Sequence, residues 1–164
     1  MLVGEFRRSN LVPSRTHEWT LWAVAAACIL HPIEEFTTGW QAWARPALGI
    51  VMPSAVFIVA NTILALFALC MARVGWRRPA LSLVIPSATL VNAVFFHILP
   101  TVVQQQRSPG VYTAALLYLP FSTWALVGAS RDGVGWKPIA AGVTGGTALM
   151  LMVFFGARAL TSAA

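Results

Sequence analysis

Charge is scarce in this sequence. Only 10% of its 164 residues are Asp, Glu, Lys or Arg, while 58% are hydrophobic, whereas a water-soluble domain usually carries about 25% charged residues. The deficit excludes an ordinary soluble domain, with or without a single anchor, and points to an all-α polytopic membrane helix bundle. Cysteine is nearly missing as well. Cys28 and Cys70 both fall inside apolar runs, form no CxxC pair, and read as small buried apolar residues. The formal charge of +6 and pI near 10.7 come from basic residues scattered between the apolar runs rather than set in a stripe, which excludes a nucleic-acid partner.

Five apolar runs are present, each long enough to cross about 30 Å of hydrocarbon. They cover about 19–40, 50–72, 81–103, 111–129 and 139–160. Residues 1–18 form a short lead, expected at the cytoplasmic surface and the headgroups, and 19–164 form the membrane domain. His17 and Glu18 stand at the boundary, where solvent or headgroup pairing is expected. The first run is as long as a full span and contains carboxylates, so it reads as a retained span and not as a cleaved signal peptide. Arg7, Arg8, Arg15, Arg73, Arg77, Arg78, Arg131 and Lys137 fall on one side, against Arg45, Arg107 and Arg158 on the other. This imbalance places the N-terminus in the cytoplasm. In the fifth run, Gly142, Gly145, Gly146 and Ala148 allow a neighbouring helix to approach closely.

What stands out against this background is His31-Pro32-Ile33-Glu34-Glu35-Phe36 in the first run. At roughly 100° per residue, a histidine and carboxylates three and four positions later occupy one sector of a helix. An ionised side chain near the bilayer centre costs at least about 2.5–3.5 kcal/mol, so such residues are functional candidates by default. Within the five runs the acids are Glu34 and Glu35 alone, the histidines are His31 and His97 alone, and no Lys or Arg lies deep. Spans one and three run the same way, which puts His31, Glu34, Glu35 and His97 at similar depth in the outer half of the membrane.

Two carboxylates without a resident cation have three escapes. One carboxyl stays protonated, a histidine takes the charge, or a divalent transition metal binds. The first two imply acid–base chemistry, with Glu34 and Glu35 as acid and base and His31 and His97 tuning or relaying protons. The third needs two imidazoles and a carboxylate, a set met by His31, Glu34 or Glu35, and His97, for iron, zinc or copper. Asn61 and Asn92 are supporting candidates, to orient a ligand or add an oxygen. Both, like Ser122 and Thr123, also suit a role as interhelical hydrogen-bonding glue. Asn92 and His97 are about 140° apart on a regular helix and share a face only if Pro100 or a bulge adjusts the turn. Tyr118 joins Phe36, Phe95, Phe96 and Trp124 as candidates to line a lipophilic pocket.

These residues carry a resemblance. His31-Pro32-Ile33-Glu34-Glu35, together with Asn61 in the second run and Val91-Asn92-Ala93-Val94-Phe95-Phe96-His97 in the third, resembles the small bacterial multi-span proteins grouped by an HxxEE motif, over about residues 19–160. The resemblance implies a multi-pass protein of the bacterial inner membrane and singles out the same residues, without naming a reaction. Pro32-Ile33-Glu34-Glu35 is also similar to the PxEE signature of membrane lycopene cyclases, which implies proton-initiated cyclisation of an isoprenoid by intramembrane carboxylates.

The expectation is an intramembrane enzyme that moves protons on a lipophilic small molecule, isoprenoid or polyketide-like, by cyclisation, isomerisation or hydration. A metalloenzyme of the same architecture is the alternative, and a proton- or cation-coupled carrier the second. A partner copy completing the site stays open.

Overall fold

A computed structural model describes residues 13–162; the expected placement of Arg7 and Arg8 lies outside the described residues. Among these, every regular element is helical. Helix α1 (Trp19–Thr37) is followed by the short α2 (Trp40–Leu48). Four longer helices complete the bundle: α3 (Ser54–Arg77), α4 (Pro79–Gln104), α5 (Val111–Arg131) and α6 (Trp136–Ser162). These four are long and apolar enough to cross a membrane. Helix α1, diluted by His31, Glu34 and Glu35, packs beside α3 and α5 as the fifth member. The surface is inverted relative to a soluble protein. Ile63, Leu66, Val102, Leu116, Val153 and Phe155 are exposed, as lipid-facing side chains must be.

Where α1 ends is a correction to the sequence reading, which ran the first span to Trp40 and put a loop after it. The hydroxyls of Thr37 and Thr38 turn back onto the carbonyl of Glu34. Gly39 then takes a left-handed φ of +86°, a conformation that glycine adopts freely and that commonly closes a helix. Gly49, at φ +67°, closes α2 in the same way.

Helix α6 meets α4 at its small residues. A Cβ on Gly142 would strike Leu83, and one on Gly146 would strike Ser87 and the α4 backbone. The close approach expected from the glycine pattern is what joins the two helices.

At the opposite end from the motif, Asp132 ties together the start of the described chain, the α3–α4 link and the α5–α6 turn. Its carboxylate accepts from the Ser14 hydroxyl at 2.8 Å, the His17 N–H at 2.8 Å and the Trp76 indole N–H at 2.8 Å, and lies 2.7 Å from the His17 ring. Glu18 accepts from the Trp76 backbone N–H at 2.6 Å. His17 and Glu18 are therefore paired inside the protein rather than with headgroups, because Asp132 and Trp76 converge on them. Burial alone would push the Asp132 carboxyl up, but the hydrogen bonds from His17, Trp76 and Ser14 hold it at about 2 against an ordinary 3.8. A depressed carboxyl stabilises the fold above its unfolded pKa and loses that contribution as pH falls toward the folded one. Thermal unfolding in detergent should therefore lose about 2 kcal/mol between roughly pH 4 and pH 2, and Asp132→Asn should flatten that dependence.

Candidate metal centre

The inward stripe of α1 runs Leu21, Val24, Cys28, His31, Glu35, all buried, at the spacing of one helix face. His31 and Glu35 are thus the polar end of an otherwise apolar core stripe. Opposite them stands His97, fully buried on α4. The His31 and His97 rings meet edge to face, with centroids 4.7 Å apart. Glu35 Oε1 lies 3.6 Å from His31 Nε2 and 3.4 Å from His97 Nε2. One donor atom from each of the three residues lies within 4.8 Å of the others. Among the described residues, no Lys or Arg pairs with Glu35.

The far nitrogen of each ring is held by a hydroxyl. His31 Nδ1 is 2.8 Å from the Thr113 hydroxyl, which donates to the Gly110 carbonyl at 3.3 Å. His97 Nδ1 is 3.0 Å from the Ser108 hydroxyl, which donates to the Pro109 carbonyl at 3.3 Å and the Phe96 carbonyl at 3.5 Å. In the tautomer in which each Nδ1 donates to its hydroxyl, both Nε2 atoms present lone pairs. Among the described residues neither Nε2 has a hydrogen-bond partner, although both are buried. The result is two imidazole nitrogens and a carboxylate oxygen gathered at one point.

Local backbone irregularities make this convergence. Asn92–Ile98 in α4 and Ala114–Tyr118 in α5 are π-helical turns, wide turns often found at functional sites. Each ends immediately before a Leu-Pro pair, Leu99-Pro100 and Leu119-Pro120. Proline cannot donate to the carbonyl four residues back, and for Pro100 that is the Phe96 carbonyl, one of the acceptors of the Ser108 hydroxyl. The wide turn also answers the question of Asn92 and His97. With hydrogen bonds closing over five residues, positions five apart come near to alignment. Asn92 faces the same cavity as His31 and Glu35.

Gly110 seals the cluster from the loop side. Its φ is +91°, and a Cβ there would lie 2.8 Å from Glu35, 2.9 Å from His31 and 3.0 Å from His97. The residue must be glycine both for its backbone and for the space.

Glu34 does not join the cluster. Its carboxylate accepts the N–H of Thr113 at 2.7 Å and of Tyr112 at 3.2 Å, capping the positive N-terminal end of α5. Tyr118 does join, its ring 4.4 Å from that of His31. Asn61 donates to the Phe57 carbonyl of its own helix, and Thr123 to that of Leu119. Ser122 does act as interhelical glue, 2.8 Å from Thr89. Of the aromatic candidates, Phe95 is exposed, Phe96 packs on Phe154 and Trp124 on Trp19.

A cavity of about 320 Å³ opens beside the cluster, lined by His31, Glu35, Asn92 and Tyr118 and by Phe67, Leu149 and Val153 among others. Ile63 and Val153, also in its lining, are exposed, so its mouth opens sideways between α3 and α6. A second groove of about 450 Å³ runs between α1 and α3 and shares Phe57 and Asn61 with the cavity. Phe36 lines this groove and stacks near Phe57.

Residues 22–125 match the family described as proteins of unknown function with an HXXEE motif. The chain belongs to this HXXEE family. The matched segment contains the whole cluster, its hydroxyl partners and Gly110, and leaves out Asp132 and α6. No curated protein and no solved structure matches the chain, and the similarity to lycopene cyclases is not confirmed.

Serine, glycine and threonine at 108, 110 and 113 were not singled out by sequence reasoning. Ser108-Pro109-Gly110 carries ordinary turn chemistry, and nothing in its spacing distinguishes a histidine partner from a loop.

Proposed function

We propose that this protein is a multi-pass enzyme of the bacterial inner membrane, its N-terminus cytoplasmic, that uses a transition metal held by His31, Glu35 and His97 on a lipophilic small molecule. The observation that carries the reading is the convergence of His31, Glu35 and His97, one donor atom from each within 4.8 Å of the others, with both buried Nε2 atoms lacking a hydrogen-bond partner among the described residues. A cation at their centre would satisfy all three donor atoms. The separations of 3.4 and 3.6 Å suit it, since ligands about 2.1 Å from a tetrahedral ion are about 3.4 Å apart. Two imidazoles and one carboxylate favour iron(II) or zinc, and three protein ligands leave a coordination position for substrate.

The metal would supply Lewis-acid or redox chemistry; the chain supplies the rest. Thr113 and Ser108 orient the rings, which matters because such hydroxyl and carbonyl partners tune ligands as strongly as tenfold to a hundredfold. The apolar walls exclude water. Reading Glu34 and Glu35 as paired acid and base is weakened, because Glu34 spends its oxygens on the α5 backbone.

Protein purified from cells grown with iron and zinc should retain about one metal ion per chain by elemental analysis. His31→Ala and His97→Ala should each remove it. A wild-type chain that binds neither metal after reconstitution would overturn the proposal and favour proton chemistry at Glu35.

A further inference from the structure

The cavity holds one polar group that neither the cluster nor the fold uses. Asn92 Oδ1 is buried with no hydrogen-bond partner among the described residues, and Asn92 lines the cavity with His31 and Glu35. Its position is set by the π-helical turn it opens, so it is held toward the cavity by the backbone. A buried amide oxygen left unpaired costs about 1–3 kcal/mol, and a membrane interior has no water to relieve it. Much of the rest of the lining is apolar, with Phe67, Leu149, Met150 and Val153 among it.

We infer that the cavity selects a long-chain lipophilic alcohol, with Asn92 Oδ1 accepting the hydroxyl hydrogen beside the His31–Glu35–His97 cluster and the chain leaving through the mouth between α3 and α6. The inference rests on the reading above for what happens next to the hydroxyl, but not for its recognition. A donor is required, since the orphan is an acceptor. An ionised carboxylate, which only accepts, cannot pair with Asn92 Oδ1. A hydrocarbon with no head group leaves the amide unsatisfied. Asn92 is thereby a specificity-determining residue rather than a metal ligand.

The test is photo-crosslinking in lipid nanodiscs with a dodecyl alcohol carrying a mid-chain diazirine, compared with its methyl ether, which can accept but not donate. Adducts are mapped by mass spectrometry on zinc-loaded and metal-free protein, with metal content measured on the same samples. The alcohol should label the Leu149–Val153 segment and Phe67 more than the ether by about fivefold or more, the ratio expected of one hydrogen bond. Lipid-facing positions such as Leu116 should be labelled equally. Asn92→Leu should bring the alcohol down to the ether level, while Asn92→Asp, which keeps an acceptor, should restore much of the preference. Equal labelling by the two probes in the unmodified chain overturns the inference without any variant having to fold. A preference that survives Asn92→Leu overturns it as well. Metal content that fails to appear while the alcohol preference stands sinks the metal reading alone.

Discussion

Glu35→Gln should lower metal affinity by about a hundredfold or more, whereas Glu34→Gln should leave it within a fewfold of the unmodified chain. Glu35 contributes the one anionic oxygen, between 3.4 and 3.6 Å from both Nε2 atoms. A neutral amide there removes half the charge needed against a dication, a larger loss than the tenfold to hundredfold typical of an outer partner. Glu34 instead takes two N–H bonds at the start of α5. Its loss should appear as reduced stability, about 1–3 kcal/mol for charge-assisted bonds in a partly buried setting. Chelator competition measures the first effect and thermal unfolding in detergent the second. If both variants lose metal equally, or neither does, the separation of roles between the adjacent glutamates is wrong.

Gly110→Ala should abolish metal retention although the added group is a single methyl. Two penalties are combined at that position, and Gly133 separates them. Both glycines have left-handed backbones, φ +91° and +88°, but a Cβ on Gly133 meets nothing within 4 Å while one on Gly110 meets all three cluster residues. The backbone strain, about 1–3 kcal/mol, is shared. Gly133→Ala should therefore show the backbone penalty alone by thermal unfolding and keep its metal. Gly110→Ala should lose metal, as read by elemental analysis, while circular dichroism stays helical. Metal retained by Gly110→Ala would mean that the loop gives way and that Gly110 does not shape the centre.

The helical membrane architecture was legible because hydrophobic runs of span length need no tertiary information, and the boundaries of α5 and α6 fall within a few residues of the apolar runs. His31, Glu35 and His97 were legible as rare polar residues at matched depth. The division between Glu34 and Glu35 was not: both sit on the sector containing His31, and only the approach of α5 decides which carboxylate is drawn away. Gly39 could have marked the end of α1, but Trp40 read as the interfacial edge of a span, and the turn was missed. Asp132 was passed over as a turn residue because its partners, Ser14, His17 and Trp76, are distant in sequence and share no periodicity.

The two wide turns carry a consequence for how this centre is encoded. A helical turn holding one surplus residue advances everything beyond it by about 100° relative to an unbroken helix. His97 and Tyr118 therefore point where they do through a phase offset in the backbone as much as through their own identity. Removing one residue between Asn92 and His97 would leave a helix of the same composition and hydrophobicity with its imidazole swung away from Glu35. Within α4, residue number is itself a coordinate of the chemistry, and a chain with every conspicuous side chain intact can still lack the centre.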